Sequence, residues 1–183
     1  MAAGMAWSVT TVTLRNETPN RPDIMGCGAS TAVHPEPGSK RHTRVVWDLE
    51  NVRVPANQTF QLVLSLERWL TAQQLWGSNV DGLITCFYNP QTMPKTVSEA
   101  LDRAGVEQVL AGAKREAADR KICERLEREA AVLPRGRTAF VLISSDCDFA
   151  PPLRRLVQTG FGPVRSAAPG SLRPWHDTGW PQP

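Results

Sequence analysis

The sequence has few of the residues and patterns that mark several common protein classes. It contains four cysteines among 183 residues, and no two of them have the C-x-x-C spacing of zinc ribbons or thioredoxin-like sites. The three histidines, His34, His42 and His176, lie in proline-rich or polar stretches, which argues against a histidine-based zinc enzyme or catalytic triad. No apolar run is long enough to cross a bilayer, so we expect no membrane partner.

The cysteine pattern also bears on the compartment. The four residues are irregularly spaced and nothing resembles a secretory signal, so we interpret them as reduced thiols. We therefore expect an intracellular reducing compartment, which is the cytoplasm, an organelle or the nucleus. The formal net charge of +3 allows nucleic-acid binding but does not argue for it.

Proline density divides the chain into three parts. Residues 1–42 hold several prolines and no lasting helical or strand period, so we predict a flexible N-terminal extension. Residues 168–183 form a second proline-rich tail that contains Trp175 and Trp180. Between them, residues 43–167 have the patterns of a folded domain. Either tail is a candidate attachment site for a protein partner.

Strand and helix patterns alternate through residues 43–167. This alternation predicts an α/β protein, with a three-layer α/β/α arrangement around a mostly parallel sheet of four to five strands. Thr96 or Ser98 is expected to cap the second helix. The predicted strands are 44–51, 80–88, 106–110, 138–144 and 161–167, and the predicted helices are 60–75, 96–104, 114–131 and 149–159.

Acidic side chains follow two of the predicted strands. Asp48 and Glu50 end the first strand, and Asp146 and Asp148 follow the most hydrophobic one. In parallel sheets, ligands bind beyond the carboxyl ends of the strands, and Asp119 on the third predicted helix is a further contributor. Clustered carboxylates repel one another unless a cation binds, and oxygen ligands suit Mg²⁺ or Mn²⁺ better than zinc.

Helix capping is the alternative explanation of the same acids. Asp48 alone would serve as a cap of the following loop, and Asp146 or Asp148 as a cap of the helix predicted at 149. Acids at two separate strand ends are harder to explain in this way. The residues alone leave both the metal site and the caps open.

Three segments resemble the motifs of NYN domains, and they occur in the order of that family. VWDLEN at 46–51 resembles the opening motif, in which a strand ends in D-x-E-N or D-x-D-N. KREAADRKI at 114–122 resembles the middle motif, in which a lysine precedes an Ala-Asp pair on a helix. VLISSDCDFAPPLRRL at 141–156 resembles the closing motif S-G-D-x-D-F-x-P-L.

The resemblance implies a small PIN-like α/β/α domain over residues 43–167 that cleaves RNA at an acidic metal pocket. The pocket would hold Mg²⁺ or Mn²⁺. The residues implied to orient ligands or phosphate around it are Asn51, Ser144 and Ser145. The implied metal-binding and catalytic acids are Asp48, Asp119, Asp146 and Asp148.

The chain departs from the family pattern in two places, and a cysteine within the closing motif needs its own interpretation. Ser145 replaces the usual glycine, and we expect it to tighten the turn because glycine alone tolerates positive φ freely. Many family members carry a second acid about six residues after the middle one. Here Arg125 occupies that position, and Glu124 is turned away from Asp119. We interpret Cys147 as a small buried filler.

Positive charge concentrates at the middle motif and after the closing one. Interleaved glutamates also fit a solvated helix with ion pairs one turn apart, and that alternative stays open. Lys114, Arg154 and Arg155 are the candidate RNA-binding residues, since phosphate contacts dominate affinity for nucleic acids. Trp69 and Trp76 have the chemistry to stack on bases, but we expect them to pack in the core.

These observations favour a metal-dependent endoribonuclease acting on single-stranded or structured RNA. The alternative is a catalytically weak NYN domain that binds RNA or docks a protein in a ribonucleoprotein complex. A Mg²⁺-dependent phosphatase or 5′-nuclease is a third hypothesis, and the absence of a D-x-D-x-T motif counts against it.

Overall fold

The computed structural model describes residues 8–11, 40–114, 116–162 and 164–168. Over these ranges the chain forms six strands and four helices, and a 3₁₀ turn, Cys147–Phe149, leads into the last helix. The elements are β1 Ser8–Thr11, β2 Arg41–Asp48, α1 Ala56–Ala72, β3 Val80–Tyr88, α2 Lys95–Arg103, β4 Glu107–Leu110, α3 Ala117–Val132, β5 Thr138–Ile143, α4 Ala150–Gln158 and β6 Val164–Ala168.

All six strands belong to one sheet, in the order β1-β6-β5-β2-β3-β4. The pairs β6-β5, β5-β2, β2-β3 and β3-β4 are parallel, and β1 pairs antiparallel with β6. The predicted α/β class and mostly parallel sheet are confirmed. The five strands that the sequence predicts within the domain form the parallel part of the sheet, and residues 8–11 of the predicted extension add a sixth strand by pairing with β6. The rest of both tails lies outside the described residues, and the predicted domain boundaries stay predictions.

Helices cover both faces of the sheet, which gives three layers. Alternate residues of β2 point to opposite faces, as the period of a strand requires. Val45 and Trp47 pack in one apolar cluster with residues of α1 and α2. Val46 packs in a second cluster with residues of α3 and α4. Trp47 is fully buried, as predicted.

The two other tryptophans with a predicted core role are Trp69 and Trp76. Both are partly buried and pack against the cluster beneath α1 and α2. Packing is therefore their observed role, and neither is a free stacking platform.

Several helix ends differ from the predictions for reasons of local backbone geometry. α1 ends at Ala72, and Gln74 just beyond it adopts a left-handed φ of 58°. α3 begins at Ala117 because Glu116 adopts a φ of 61°, so Lys114 lies in the preceding loop and not on the helix. The predicted cap of α2 is also wrong, since Pro94 is its N-cap and makes no side-chain hydrogen bond.

None of the helices within the described ranges combines the length and the apolar character needed to cross a membrane.

Candidate functional site

Asp48 lies at the centre of the carboxyl edge of the sheet. It is the last residue of β2, which runs between β3 and β5, and its side chain is fully buried. Oδ1 accepts hydrogen bonds from the backbone N–H of Glu50 and of Asn51, at 3.2 and 3.3 Å. Oδ2 accepts from Asn51 Nδ2 at 2.6 Å and from Ser144 Oγ at 2.9 Å. Four donors therefore compensate for the burial of this carboxylate.

Asn51 and Ser144 act on the site through Asp48. Ser144 follows β5 directly, and its hydroxyl also accepts a hydrogen bond of 3.1 Å from the backbone N–H of Asp146. One hydroxyl thus links the ends of β2 and β5. The structure brings together the residues that the resemblance assigned to the pocket, with Ser145 beside them exposed to solvent.

Asp146 and Asp148 lie at the turn after β5. Asp146 is the N-cap of the 3₁₀ turn, and its Oδ1 accepts from the backbone N–H of Asp148 at 2.9 Å. The capping role considered from the sequence is therefore present. Only Oδ1 of Asp146 takes part in this hydrogen bond, and Oδ2 does not.

Cys147, between these two acids, is exposed, so the prediction of a buried filler is wrong. It begins the 3₁₀ turn, and Phe149 two residues later is the side chain of that turn that enters the core. The ligand atoms of Asp146, Cys147 and Asp148 lie within 4.8 Å of one another, the closest grouping of three metal-ligand-type residues in the part of the chain that the structure describes.

Asp119 joins the same neighbourhood from the first turn of α3. Burial raises its pKa above the ordinary value, and the negative charges of Asp48, Asp146, Glu116 and Asp148 raise it further. The charges at the ends of β2 and β5 therefore act on Asp119 at the start of α3, while the group whose ligand atoms lie within 4.8 Å consists of Asp146, Cys147 and Asp148.

Glu50 is a member of this cluster that the sequence-based site did not include. Burial raises its pKa most, and the charges of Asp48 and Asp119 raise it further, while Arg53 lowers it. The signal was present in the D-x-E-N segment, where Glu50 stands two residues after Asp48 and next to Asn51. We name these five acids the acid cluster: Asp48, Glu50, Asp119, Asp146 and Asp148.

The acid cluster has the donor chemistry of a site for a hard divalent cation. Its ligand atoms are carboxylate oxygens, which Mg²⁺ and Mn²⁺ prefer. The charges of Asp48, Asp146, Glu116 and Asp148 raise the pKa of Asp119, so a bound cation would offset this repulsion. The residues present therefore fit such an ion.

The backbone at Ser145 does not require the glycine of the family motif. Its φ is not positive, so serine fits this turn without backbone strain. The expectation that serine would tighten the turn has no support in this geometry.

Arg125, which stands where many family members have a second acid, is turned away from the acid cluster. Its guanidinium donates to Glu107 Oε2 at 2.9 Å and forms an ion pair of 2.8 Å with Glu129. Glu124 is exposed and lies 3.9 Å from Arg120. This ion pair with Arg120, one turn earlier on the helix, is consistent with the prediction that Glu124 turns away from Asp119.

The three predicted RNA-binding residues are all exposed. Lys114 lies in the loop before α3, while Arg154 and Arg155 lie on α4. Arg155 approaches Glu127 of α3 at 3.7 Å, which is a weak surface ion pair. Their contact with RNA stays a prediction.

A comparison with protein-family models matches residues 42–171 to the NYN domain. The chain belongs to the NYN domain family. NYN domains are PIN-like and are usually nucleases, which typically use divalent metals, and the acid cluster of this chain is consistent with that chemistry. A search of curated proteins gives no match.

One solved structure similar to this NYN domain is a protein of unknown function from Vibrio parahaemolyticus. The two chains share 16% sequence identity, with a TM-score of 0.49, over 68% of this chain and 79% of the other.

Proposed function

We propose that this NYN domain is a metal-dependent endoribonuclease that hydrolyses phosphodiester bonds of RNA. The observation that carries the proposal is the convergence of carboxylates from β2, β5 and α3. Ser144 joins Asp48 to Asp146 by hydrogen bonds, Asp146 and Asp148 have ligand atoms within 4.8 Å, and the charges of these acids raise the pKa of Asp119. Such crowding costs free energy in the absence of a cation, so it points to a site built for one.

The acids at the carboxyl edge would hold Mg²⁺ or Mn²⁺. Asp48, Asp119, Asp146 and Asp148 are the proposed ligands and catalytic residues, and Glu50 lies among them. A bound ion of this kind activates water and neutralises charge on the phosphodiester. Asn51 and Ser144 would keep the carboxylate of Asp48 in a fixed orientation through the hydrogen bonds that it accepts from them.

Exposed cations near the edge would bind the RNA backbone. Lys114 precedes α3, and Arg154 and Arg155 follow the closing acids by one to two turns. We propose that all three contact phosphates of the RNA. We propose RNA as the substrate, and an intracellular reducing compartment as its location. A protein partner bound through either tail stays a prediction.

A catalytically weak domain that binds RNA or docks a protein is the second candidate. The specific observation in its favour is Arg125, whose side chain is engaged by Glu107 and Glu129 at the position of a family acid. A structural ion pair thus stands where many family members have an acid, and this departure favours a domain that binds RNA and cleaves it slowly or not at all.

Cleavage of labelled RNA distinguishes the two candidates. Single-stranded and hairpin RNAs are incubated with the protein in Mg²⁺, Mn²⁺ or EDTA. The endoribonuclease predicts internal cleavage that is lost in EDTA and in Asp146→Asn, but retained in the matched control Asp102→Asn on α2. Absence of cleavage in every metal, with RNA binding that survives Asp146→Asn, would contradict it and support the second candidate.

A further inference from the structure

A cavity of about 140 Å³ opens beside the acid cluster, on the side of β3. Leu49, Val54 and Val97 line it with buried apolar surface. Glu50 lines it as well, so the cavity and the acid cluster share a wall. The volume is well below the ~300–1,000 Å³ of pockets for drug-sized ligands. It therefore suits one small ring.

An aromatic ring and a cation also line the cavity. Tyr88, the last residue of β3, is partly buried. Arg53 is exposed, and its positive charge acts on Glu50, which shows that it stands near the acids. Met93 contributes a thioether, and its backbone N–H donates to the carbonyl of Asn89 at 3.1 Å.

The loop that forms one side of the cavity is held in place by its neighbours. The indole Nε1 of Trp47 donates to the carbonyl of Val52 at 3.1 Å, and the N–H of Val52 donates to the carbonyl of Asp48 at 2.9 Å. Because Trp47 is fully buried, these bonds fix residues 49–54 against the core. A cavity with fixed walls binds without a cost for ordering them.

We propose that this cavity binds an unpaired nucleobase of the RNA next to the phosphate held at the acid cluster. We name it the base pocket: Leu49, Glu50, Arg53, Tyr88, Met93 and Val97. The inference rests on the proposed function, and it narrows the substrate to RNA with an unpaired base at the cleavage site. Paired bases within a duplex are stacked on both faces and have no free face for the ring of Tyr88.

Each part of the base pocket has a separate role in this interaction. The ring of Tyr88 supplies a stacking face, which is tolerant of base identity. Arg53 at the rim supplies a positive charge for the adjoining phosphate, where the neighbouring acids alone would repel it. The buried apolar wall excludes water from the edge of the base.

Abasic scanning of a labelled short oligouridylate tests the base pocket. Binding is measured by fluorescence anisotropy in EDTA, so that cleavage does not interfere. We expect one position at which removal of the base weakens binding about 5-fold or more, which is the lower end of the range for a base stacked on an aromatic side chain. Equal binding of all the abasic oligomers would overturn the proposal.

Two pairs of variants assign the effect to the base pocket. Tyr88→Leu keeps apolar bulk but removes the ring, and it should abolish the position-dependent loss, while Tyr88→Phe retains it. Arg53→Ala should weaken binding relative to Arg68→Ala, a matched arginine exposed near the other end of α1. Because Arg53 is exposed, its substitution should not disturb folding. The two arginine variants therefore test the base pocket even if Tyr88→Leu fails to fold. Equal binding by Arg53→Ala and Arg68→Ala would contradict the proposal.

The cleavage assay separates failure of the base pocket from failure of the proposed function. Metal-dependent cleavage without a position-dependent effect of base removal contradicts the base pocket alone. Position-dependent binding without cleavage in any metal supports the base pocket and contradicts the nuclease.

Discussion

Asp48 and Asp119 are two acids whose ionised forms are disfavoured by burial, and the fold treats them differently. The carboxylate of Asp48 is fully buried, and it accepts hydrogen bonds from two backbone N–H groups, an amide and a hydroxyl. Burial and four neighbouring carboxylates raise the pKa of Asp119. The hydrogen bonds of the fold thus stabilise the ionised form of Asp48, whereas a bound cation would offset the repulsion that acts on ionised Asp119.

Removal of the Ser144 hydroxyl should destabilise the protein. Ser144→Ala removes a donor to the buried carboxylate of Asp48, and hydrogen bonds to charged groups contribute about 1.5–3 kcal/mol. We expect a fall of that size in the free energy of unfolding, measured by urea denaturation. Ser145→Ala, at the exposed neighbouring position, is the control. Equal stability of the two variants would show that the bond to Asp48 contributes nothing.

Asp119→Asn should stabilise the metal-free protein at neutral pH. A carboxyl whose pKa is raised in the folded state costs stability when it is ionised, and asparagine removes this cost. The gain should shrink as the pH falls through the raised pKa towards the ordinary value of 3.8, because both states are then protonated. Thermal melts in EDTA across this pH range, with Asp102→Asn as control, measure it. A lower melting temperature for Asp119→Asn at pH 7 would refute the prediction.

The cysteines of the described domain should differ in reactivity. Cys147 is exposed, whereas burial raises the pKa of Cys86 to about 12 and that of Cys123 to a smaller extent. We expect Cys147 to be alkylated first and Cys86 to stay unmodified until the protein unfolds. Peptide-resolved mass spectrometry after timed iodoacetamide treatment follows each site. Early labelling of Cys86 in the folded protein would contradict its burial.

The helix α3 has two separate roles along its length. Its first turn supplies Asp119 to the acid cluster, and its later turns carry Arg125 and Glu129 over the sheet. Arg44 of β2 extends this ion-pair network, since it donates to Glu129 at 3.3 Å and to Asp81 at 2.8 Å. The network attaches α3 to β2, β3 and β4, and so fixes the position of Asp119.

Substitution of Arg125 should therefore lower the free energy of unfolding without raising the affinity of the acid cluster for Mn²⁺. Arg125→Ala leaves Glu107 and Glu129 without this partner, and we expect a loss of about 1–3 kcal/mol, below the ~3–5 kcal/mol of fully buried pairs. Arg125→Asp should be destabilised as well and should bind Mn²⁺ no better, because position 125 faces β4 and not the acid cluster. Chemical denaturation and Mn²⁺ titration measure both effects. Arg120→Ala is the exposed control, and a tighter Mn²⁺ site in Arg125→Asp would contradict the assignment.

Most elements of the domain could be predicted from local sequence patterns. The features that could not be predicted depend on contacts between residues distant in the sequence. The strand at 80–88 and the acids after β2 and β5 were predictable because apolar runs and motif spacing are local signals. β1 was missed because its pairing with β6 joins residues more than a hundred positions apart. The network of Arg125 was equally hidden, since Glu107 comes from another strand. The exposure of Cys147 depends on the 3₁₀ turn that follows β5.

The molecule as a whole is a parallel sheet whose carboxyl edge collects the polar residues that both proposals use. β2 and β5 supply the acids, α3 adds Asp119, and β3 ends at Tyr88 in the base pocket. Ligand sites of α/β sheets lie at this edge because the strands end and the connecting loops begin there. We propose that the acids gathered there bind one functional divalent cation.

Calorimetric titration with Mn²⁺ tests whether the acid cluster binds this cation. Wild-type protein, Asp146→Asn and the control Asp102→Asn are titrated under the same conditions. We expect saturable Mn²⁺ binding by the wild type and by Asp102→Asn, and a greatly reduced affinity for Mn²⁺ in Asp146→Asn. Equal affinity in all three proteins, or no saturable binding by the wild type, would contradict it.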